Sequence, residues 1–301
     1  MESRGKKLKT QRDQMVQFTI PMIGHHLPET NLTQIGFTET GMSHSTETSM
    51  NHNIGTKGKT VPRDTPTNHK KLPLFLLSNI QSFGNSEDTD KTTEIEAVLD
   101  LNEVDVACFT ETWLNESTIE SVSINNYVNF HLVRKNAQRS SGGVSILVKD
   151  NIPASKINIK VPEHIETLWV SLRPKWLPRS ISNIVVVGVY YPGSTSEYAP
   201  NQEDIILHIT ETVHNLYNRY ANPLFVIMGD FNDLKINAIC NACALNQVVK
   251  VPTRKEATLD LILTNKSNKF YKKPVTLPSI STSDHLCVLY EPIDNPKMEL
   301  N

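Results

Sequence analysis

Long apolar runs are missing from this chain. None approaches the roughly 18 to 20 consecutive residues that a bilayer-spanning helix needs, and the longest candidate, 184–191, has the length of a strand, so a transmembrane protein is excluded. The basic start, MESRGKKLKTQRDQMV, runs on into polar residues instead of the apolar core of a secretory signal. Cysteine is scarce too. Four residues in a chain of 301 do not make a disulfide framework, and Cys108 and Cys287 sit in apolar stretches where a free thiol packs as a small hydrophobe. The expectation is a reducing compartment, nucleus or cytoplasm, with no secretion and no membrane. Neither sign of charge dominates: 30 Lys and Arg stand against 32 Asp and Glu, for a net charge of −2. No internal repeat points to a solenoid.

What is present divides unevenly. Residues 1–72 are rich in Thr, Ser, Asn, His and Gly, lack Cys, Trp and Tyr, and show neither helical nor strand periodicity. Such a segment buries too little apolar surface to offset its chain entropy and is expected to be disordered. Its ten Lys and Arg against six Asp and Glu make it weakly basic, either a plain solvated leader or a tail with loose affinity for nucleic acid. Histidines at 25, 26, 44, 52 and 69 lie there without metal-ligand spacing. Residues 73–292 read as one domain, and 293–301 as a short C-terminal tail. Strand-length apolar runs recur at 74–80, 104–110, 143–148, 167–172, 184–191, 224–228, 258–264 and 286–290, most of them rich in Val, Ile, Phe or Tyr. Ile95, Val98 and Leu99 mark the apolar face of one helix; Ile205, Ile206, Ile209, Val213, Leu216 and Tyr217 mark another, and 236–245 is a third. Eight or more strands in mixed order behind amphipathic helices predict an α/β protein in four α-β-β-α layers, two mixed sheets packed face to face with helices outside.

The polar residues fall at strand ends. CFTETWL (108–114) places Glu111 after an apolar strand, and VIMGDFN (226–232) places Asp230 and Asn232 at alternate positions past another. LDLIL (259–263) carries Asp260, and STSDHL (281–286) sets Asp284 beside His285. Carboxylates so close to a core must be paired, hydrogen-bonded or bound to a cation. Oxygen donors without neighbouring cysteine favour a hard ion such as Mg²⁺, which needs only one or two carboxylates plus a substrate phosphate. An adjacent histidine adds proton transfer or stabilisation of an anionic transition state. The chemistry implied is hydrolysis of a phosphate ester. Taken singly, each residue has a plainer reading: Asp230 a turn residue, Glu111 a cap, Asp260 a polar position on a buried strand, Tyr190 a core aromatic, Glu166 one end of a surface ion pair.

Taken in order, Asn79 in LLSNIQSF, Glu111 in FTETWL, Tyr190 in GVYYPGS, Asp230 and Asn232 in GDFN, Asp260 in TLDLILT, and Asp284 with His285 in SDH resemble the endonuclease/exonuclease/phosphatase superfamily over about residues 73–292. Within it, FTETWL, SGGVSILVK and TR…LDLILT…SDH resemble the endonuclease domain of non-LTR retrotransposons of the CR1, L2 and jockey-like kind. The resemblance implies a DNase I-like sandwich and a monomeric, divalent-metal phosphodiesterase that nicks a DNA target strand, with Mg²⁺ as cofactor and Mn²⁺ as the alternative. It implies that Glu111, Asp284 and Asn79 hold the metal and that Asp230 positions or deprotonates the attacking water. His285 would contact the scissile phosphate, with Asp260 orienting its imidazole; Asn232 and Tyr190 would serve the same phosphate, and Thr253 and Arg254 would lie near the DNA. Glu166, just before the strand 167–172, resembles a glutamate often found there in the family, a reading that stands beside that of a surface ion pair. Two other functions stay open: an enzyme of the superfamily acting on inositol phosphates or phospholipid head groups, and an inactive retroelement remnant acting only as a binding module.

The chain departs from the family where Tyr-Arg-Pro-Pro is replaced by YYPG (190–193), which removes a basic residue from the phosphate side. CNAC (240–243) is a lone CxxC and reads as a packed helix end. Setting the tail aside leaves about −6 on the domain, whereas nucleic-acid binding calls for a basic face. Arg134, Lys135 and Arg139, then Arg173, Lys175 and Arg179, then Lys266, Lys269, Lys272 and Lys273 form loop clusters. They are either a set that tracks a phosphate backbone or ordinary solvated loops.

Overall fold

The computed structural model describes residues 72–84, 91–134 and 141–293. Apart from Leu72 and Ile293, the two expected tails lie outside the described residues, as do Lys135 and Arg139. The first half of the domain builds one sheet. β1 (Phe75–Asn79) leads to α1 (Lys91–Leu101), which returns the chain to β2 (Val106–Thr110) parallel to β1; β3 (Tyr127–Leu132) and β4 (Val144–Lys149) follow, β4 pairing antiparallel with both β2 and β3. The second half repeats the plan. β5 (Ala154–Lys156), β6 (Glu166–Leu172) and β7 (Ile184–Tyr190) form an antiparallel meander, and α2 (Gln202–Arg219) crosses to β8 (Leu224–Asp230), parallel to β7. After α3 (Ile236–Cys243) and β9 (Asn246–Gln247), β10 (Asp260–Thr264) pairs antiparallel with β8 and β9. The short α4 (Ser267–Phe270), β11 (Val275–Leu277) and β12 (Cys287–Tyr290) bring the chain back to the first sheet, where β12 pairs antiparallel with β1.

The sheets are ordered β11-β12-β1-β2-β4-β3 and β5-β6-β7-β8-β10-β9. All eight expected strands are present. The four that the apolar runs did not foretell, β3, β5, β9 and β11, are the four sheet edges. An edge strand is covered on fewer sides, so its residues carry a mixed pattern: β3 is only half buried beyond Tyr127.

Side-chain parity explains the layers. In a strand, alternate residues face opposite sides. Phe75 and Leu77, Val106 and Cys108, and Val144, Ile146 and Val148 from the first sheet meet Leu168 and Val170, Ile184 and Val186, and Val226, Met228 and Ile262 from the second in one buried core between the sheets. The opposite parity packs outward. Leu74, Leu76 and Ala107 lie under Ile95 and Leu99 of α1; Val185, Val187, Val189, Phe225 and Ile227 lie under Ile205, Ile209 and Val213 of α2 and Ile239 of α3. The domain is therefore the four-layer DNase I-like sandwich that the pattern predicts. Burying a Val, Leu or Ile contributes about 1.5–3 kcal/mol each, which is why runs such as IVVVGVY, buried on both faces, become central strands. Gly188 interrupts that run for a reason: a Cβ there would lie 2.5 Å from Val144 Cγ1 and 3.1 Å from Cys108 Sγ of the facing sheet. α2 starts where Asn201 Oδ1 accepts the Glu203 N–H at 2.9 Å. Among the described residues no helix is long and apolar enough to cross a membrane.

Candidate active site

Four strands of the second sheet bring polar residues into one row. Glu166 pairs with Tyr190 across β6 and β7, Tyr190 with Asp230 across β7 and β8, and Asp230 with Asp260 across β8 and β10. Each has the inward parity of its strand, so the row continues the inter-sheet core at one end of the sandwich. Asp230 is the last residue of its strand, two places further along the ladder than the apolar run alone indicates. From the first sheet, Asn79 ends β1 with the same inward parity as Phe75 and Leu77. Its Nδ2 donates to Asp230 Oδ2 at 3.0 Å and to Glu111 Oε1 at 2.8 Å, so one buried amide ties both sheets together. The Tyr190 hydroxyl donates to the same Glu111 oxygen at 3.2 Å.

Glu111 comes to that point through an uncommon backbone conformation. It sits just after β2 at φ 51°, and Asn232, just after β8, sits at φ 44°. Left-handed conformations at residues other than Gly carry strain and persist where surrounding bonds over-determine them. Here the Ser82 N–H donates to Glu111 O at 2.7 Å and the Phe83 N–H to Thr112 O at 2.9 Å, lacing the loops after β1 and β2. Asn232 donates its amide to Tyr191 O at 2.7 Å, and its N–H donates to Asp230 Oδ1 at 3.2 Å.

The imidazole lies on the other side of the row. His285 Nδ1 donates to Asp260 Oδ2 at 2.7 Å, with both side chains about 1% exposed or less. Its Nε2 stands 3.8 Å from Asp284 Oδ1. Burial works against the charged imidazole, but the hydrogen bond and charge of Asp260, with the charge of Asp230, outweigh it and raise the His285 pKa above the ordinary histidine range. Asp230 is pushed up to about 7, first by burial and then by the Asp260 carboxylate; His285, Asn79 and the Asn232 N–H oppose the shift. Asp284 is different. It is exposed, and although its partial burial acts the other way, Arg254 holds its carboxyl below the usual range. Arg254 grips it with Nε and a second guanidinium nitrogen, each at 2.8 Å.

Of the ten residues singled out from the sequence, Asn79, Glu111, Tyr190, Asp230, Asn232, Asp260 and His285 form one connected cluster. Asp284 joins it at the surface, with Arg254 on its outer side. Thr253 is fully buried, and its hydroxyl accepts the N–H groups of Leu259 and Asp260 at 3.0 and 3.1 Å, so it shapes the approach to β10. Three further residues complete the site. Gln81 donates to Asp284 Oδ1 at 3.0 Å and to Asn79 Oδ1 through its N–H at 3.2 Å. Ser283 donates to Asn79 O at 2.6 Å and accepts the His285 N–H at 3.2 Å. Glu166, expected at one end of a surface ion pair, instead ends the row in a buried pair with Arg134, because its inward parity on β6 turns it toward the space between the sheets. Gln81 lies two residues from Asn79 and Ser283 directly before Asp284, which is the signal that could have found them.

The donor set fits a hard divalent cation. It consists of carboxylates and an amide, and Asp260 Oδ1 is buried without a hydrogen-bond partner. Ligand atoms of Asp230, Asp260 and His285 all lie within 4.8 Å of one another, but the shortest contact in that trio is the His285–Asp260 hydrogen bond itself. Glu111 accepts from Asn79 and Tyr190 through Oε1, and Asp284 accepts from Gln81 through Oδ1 and from Arg254 through Oδ2.

Comparison with known proteins identifies the family. Residues 76–285 match the model of the Endonuclease/Exonuclease/phosphatase family, and the chain belongs to that family. Its members are hydrolases of phosphodiester bonds that typically use a divalent metal. Among solved structures, the 3′ phosphatase NExo from Neisseria, bound to a product DNA hairpin, superimposes with a TM-score of 0.54 at 14% identity over 74% of this chain and 100% of that one. The human Nocturnin catalytic domain gives 0.52 at 15% identity, over 75% and 96%. The endonuclease domain of TRAS1, a telomere-specific non-LTR retrotransposon, gives 0.49 at 12% identity, over 74% and 98%. At these identities the likeness is one of fold, and membership rests on the family model. No curated protein sequence matches the chain.

Proposed function

We propose that the chain is a Mg²⁺-dependent DNA endonuclease that nicks a target strand, as the endonuclease domains of non-LTR retrotransposons do. The observation that carries the reading is the Asn79 amide, which donates at once to Glu111 and Asp230 and so joins the ends of both sheets into one acidic site. FTETWL and the TR…LDLILT…SDH tail support the nuclease branch, and the Neisseria relative bound to product DNA supports DNA as the substrate class.

Glu111, Asp284 and Asn79 would hold the ion, which when bound polarises the phosphate and stabilises the leaving 3′-oxygen. Asp230, with its pKa near 7, takes a proton from the attacking water at neutral pH, because a base works best when its pKa lies close to the working pH. His285, kept protonated by Asp260, offers its Nε2 proton to the phosphate as negative charge gathers there. Tyr190 keeps its own proton, since burial and then the Glu111, Asp230 and Glu166 charges raise its pKa beyond reach, so it acts as a hydrogen-bond donor. Asn232 bonds Asp230 through its N–H and Arg254 grips Asp284, so both stand beside these acting groups.

The test is nicking of supercoiled plasmid with Mg²⁺, using Asp230→Ala and His285→Ala as controls. Relaxed circles are expected from the wild type alone. Equal nicking by both variants would refute the site, and hydrolysis of inositol phosphates without nicking would move the assignment to the small-phosphoester branch.

A further inference from the structure

The row of site residues does not stop at Tyr190. Its next member, Glu166, is 9% exposed and faces Arg134, 10% exposed, which arrives from just after β3 of the other sheet. Arg134 Nε donates to Glu166 Oε1 at 2.6 Å, a second guanidinium nitrogen touches the same oxygen, and Nη1 donates to Ser141 Oγ at 3.0 Å. The Gly143 N–H closes the ring of contacts on Glu166 Oε2. That bond needs Gly143 in its left-handed conformation at φ 88°, where a side chain would also run into Thr112. The motif SGG is thus the seat of this pair. The guanidinium, fixed on one side by Glu166, lies 5.7 Å from the centre of the Tyr190 ring and 5.2 Å from that of Tyr198.

A buried ion pair of this kind adds little net stability, because desolvation offsets the attraction. Its distinguishing consequence is geometric. Glu166 is the register partner of Tyr190, and the cation bound to it rests on the tyrosine ring. We propose that Arg134, clamped by Glu166 and Tyr198, is a positioning residue that fixes the Tyr190 ring and keeps its hydroxyl aimed at Glu111 and the reacting phosphate. The proposal rests on the phosphodiesterase reading of the site. It also gives Arg134 a task other than tracking a nucleic-acid backbone, for which its burial leaves no room.

The test is plasmid nicking by the full chain with Mg²⁺, measured for Arg134→Lys and Tyr198→Leu in the wild-type background and again in Tyr190→Phe. Arg134→Lys keeps the charge and loses the planar fork; Tyr198 is 37% exposed, so its replacement leaves the fold intact if Arg134→Lys does not. Misplacing a positioned group lowers kcat by about 10- to 100-fold with little effect on KM, and both losses should fall below about twofold once the Tyr190 hydroxyl is gone, because residues acting through one group are not additive. Losses of the same size in both backgrounds would overturn the proposal, as would a raised KM with kcat retained, which would make Arg134 a substrate contact. A wild-type chain that cuts no phosphodiester would overturn the site reading and this proposal together, so the two failures are told apart by the wild-type reaction.

Discussion

Replacing Asp230 with Asn should stabilise the domain above pH 7 while abolishing catalysis. Burial, and then the Asp260 carboxylate across the β8–β10 ladder, lift the Asp230 pKa from 3.8 to about 7. An acid whose folded pKa is raised binds more protons in the native than in the unfolded state, so stability falls as pH rises from about 4 to 7, and the deficit is complete above 7. At about 1.4 kcal/mol per pH unit the deficit has a ceiling of about 4 kcal/mol, and coupling to His285 brings it nearer to 2–3. Against this, Asn can accept from Asn79 Nδ2 or from the Asn232 N–H, where Asp230 now accepts from both. The lost bond costs about 1 kcal/mol. The net gain is about 1–2 kcal/mol, or about 2–8 °C in Tm for a domain of this size, and it should vanish near pH 5. Thermal melts of wild type and variant in chelator at pH 5, 6 and 8 read this directly. A variant less stable than wild type at pH 8, or a gain that is unchanged at pH 5, would show that the carboxylates do not repel one another as the geometry requires.

Asp260→Asn removes the anion that holds the His285 proton, so the nicking rate should fall by about 10²–10⁴-fold and its alkaline limb should move to lower pH, as seen in a pH–rate profile. Gly188→Ala drives a methyl to 2.5 Å from Val144 Cγ1; overpacking of this kind costs about 1–3 kcal/mol, which urea unfolding should register, while activity per folded molecule stays the same. His131 donates to or accepts from Ser145 Oγ at 2.7 Å, and burial, then Lys156, push its pKa down to about 4. The unfolded chain therefore takes up this proton first, and stability should be lost as pH falls from about 6.5 to 4. His131→Gln should flatten that part of the stability profile by about 1–2 kcal/mol, after allowance for partial exposure.

The central strands were legible because their apolar runs are continuous. Between two sheets and under helices a strand is covered on both faces, and IVVVGVY or LFVIMGD leaves no other interpretation. The edges were not, because a strand paired on one side only is covered less completely and can carry polar residues, as β3 does with Asn129 and His131. The chosen acids were legible for a related reason. A carboxylate at the end of a buried strand has to be paired, hydrogen-bonded or bound to a cation, and Asp230 meets that demand through the Asn79 amide and the Asn232 N–H, Asp260 through the His285 imidazole.

Register is the part that no single segment records. Nothing in IETLWVSL alone says that Glu166 ends level with Tyr190, or that Arg134, from a loop of the other sheet, will lie over the tyrosine ring. That level ending follows from the antiparallel β6–β7 ladder and the parallel β7–β8 ladder, together with an inward parity that Glu166, Tyr190, Asp230 and Asp260 share with the inter-sheet core. A slip of one residue in any of these pairings would turn the site residue outward toward the helices. The apolar residues two and four places away, Leu168, Val186 and Met228 among them, would turn with it and lose their burial. The packing that stabilises the sandwich is thus the same constraint that aims its polar row, and catalytic geometry here is a by-product of core register.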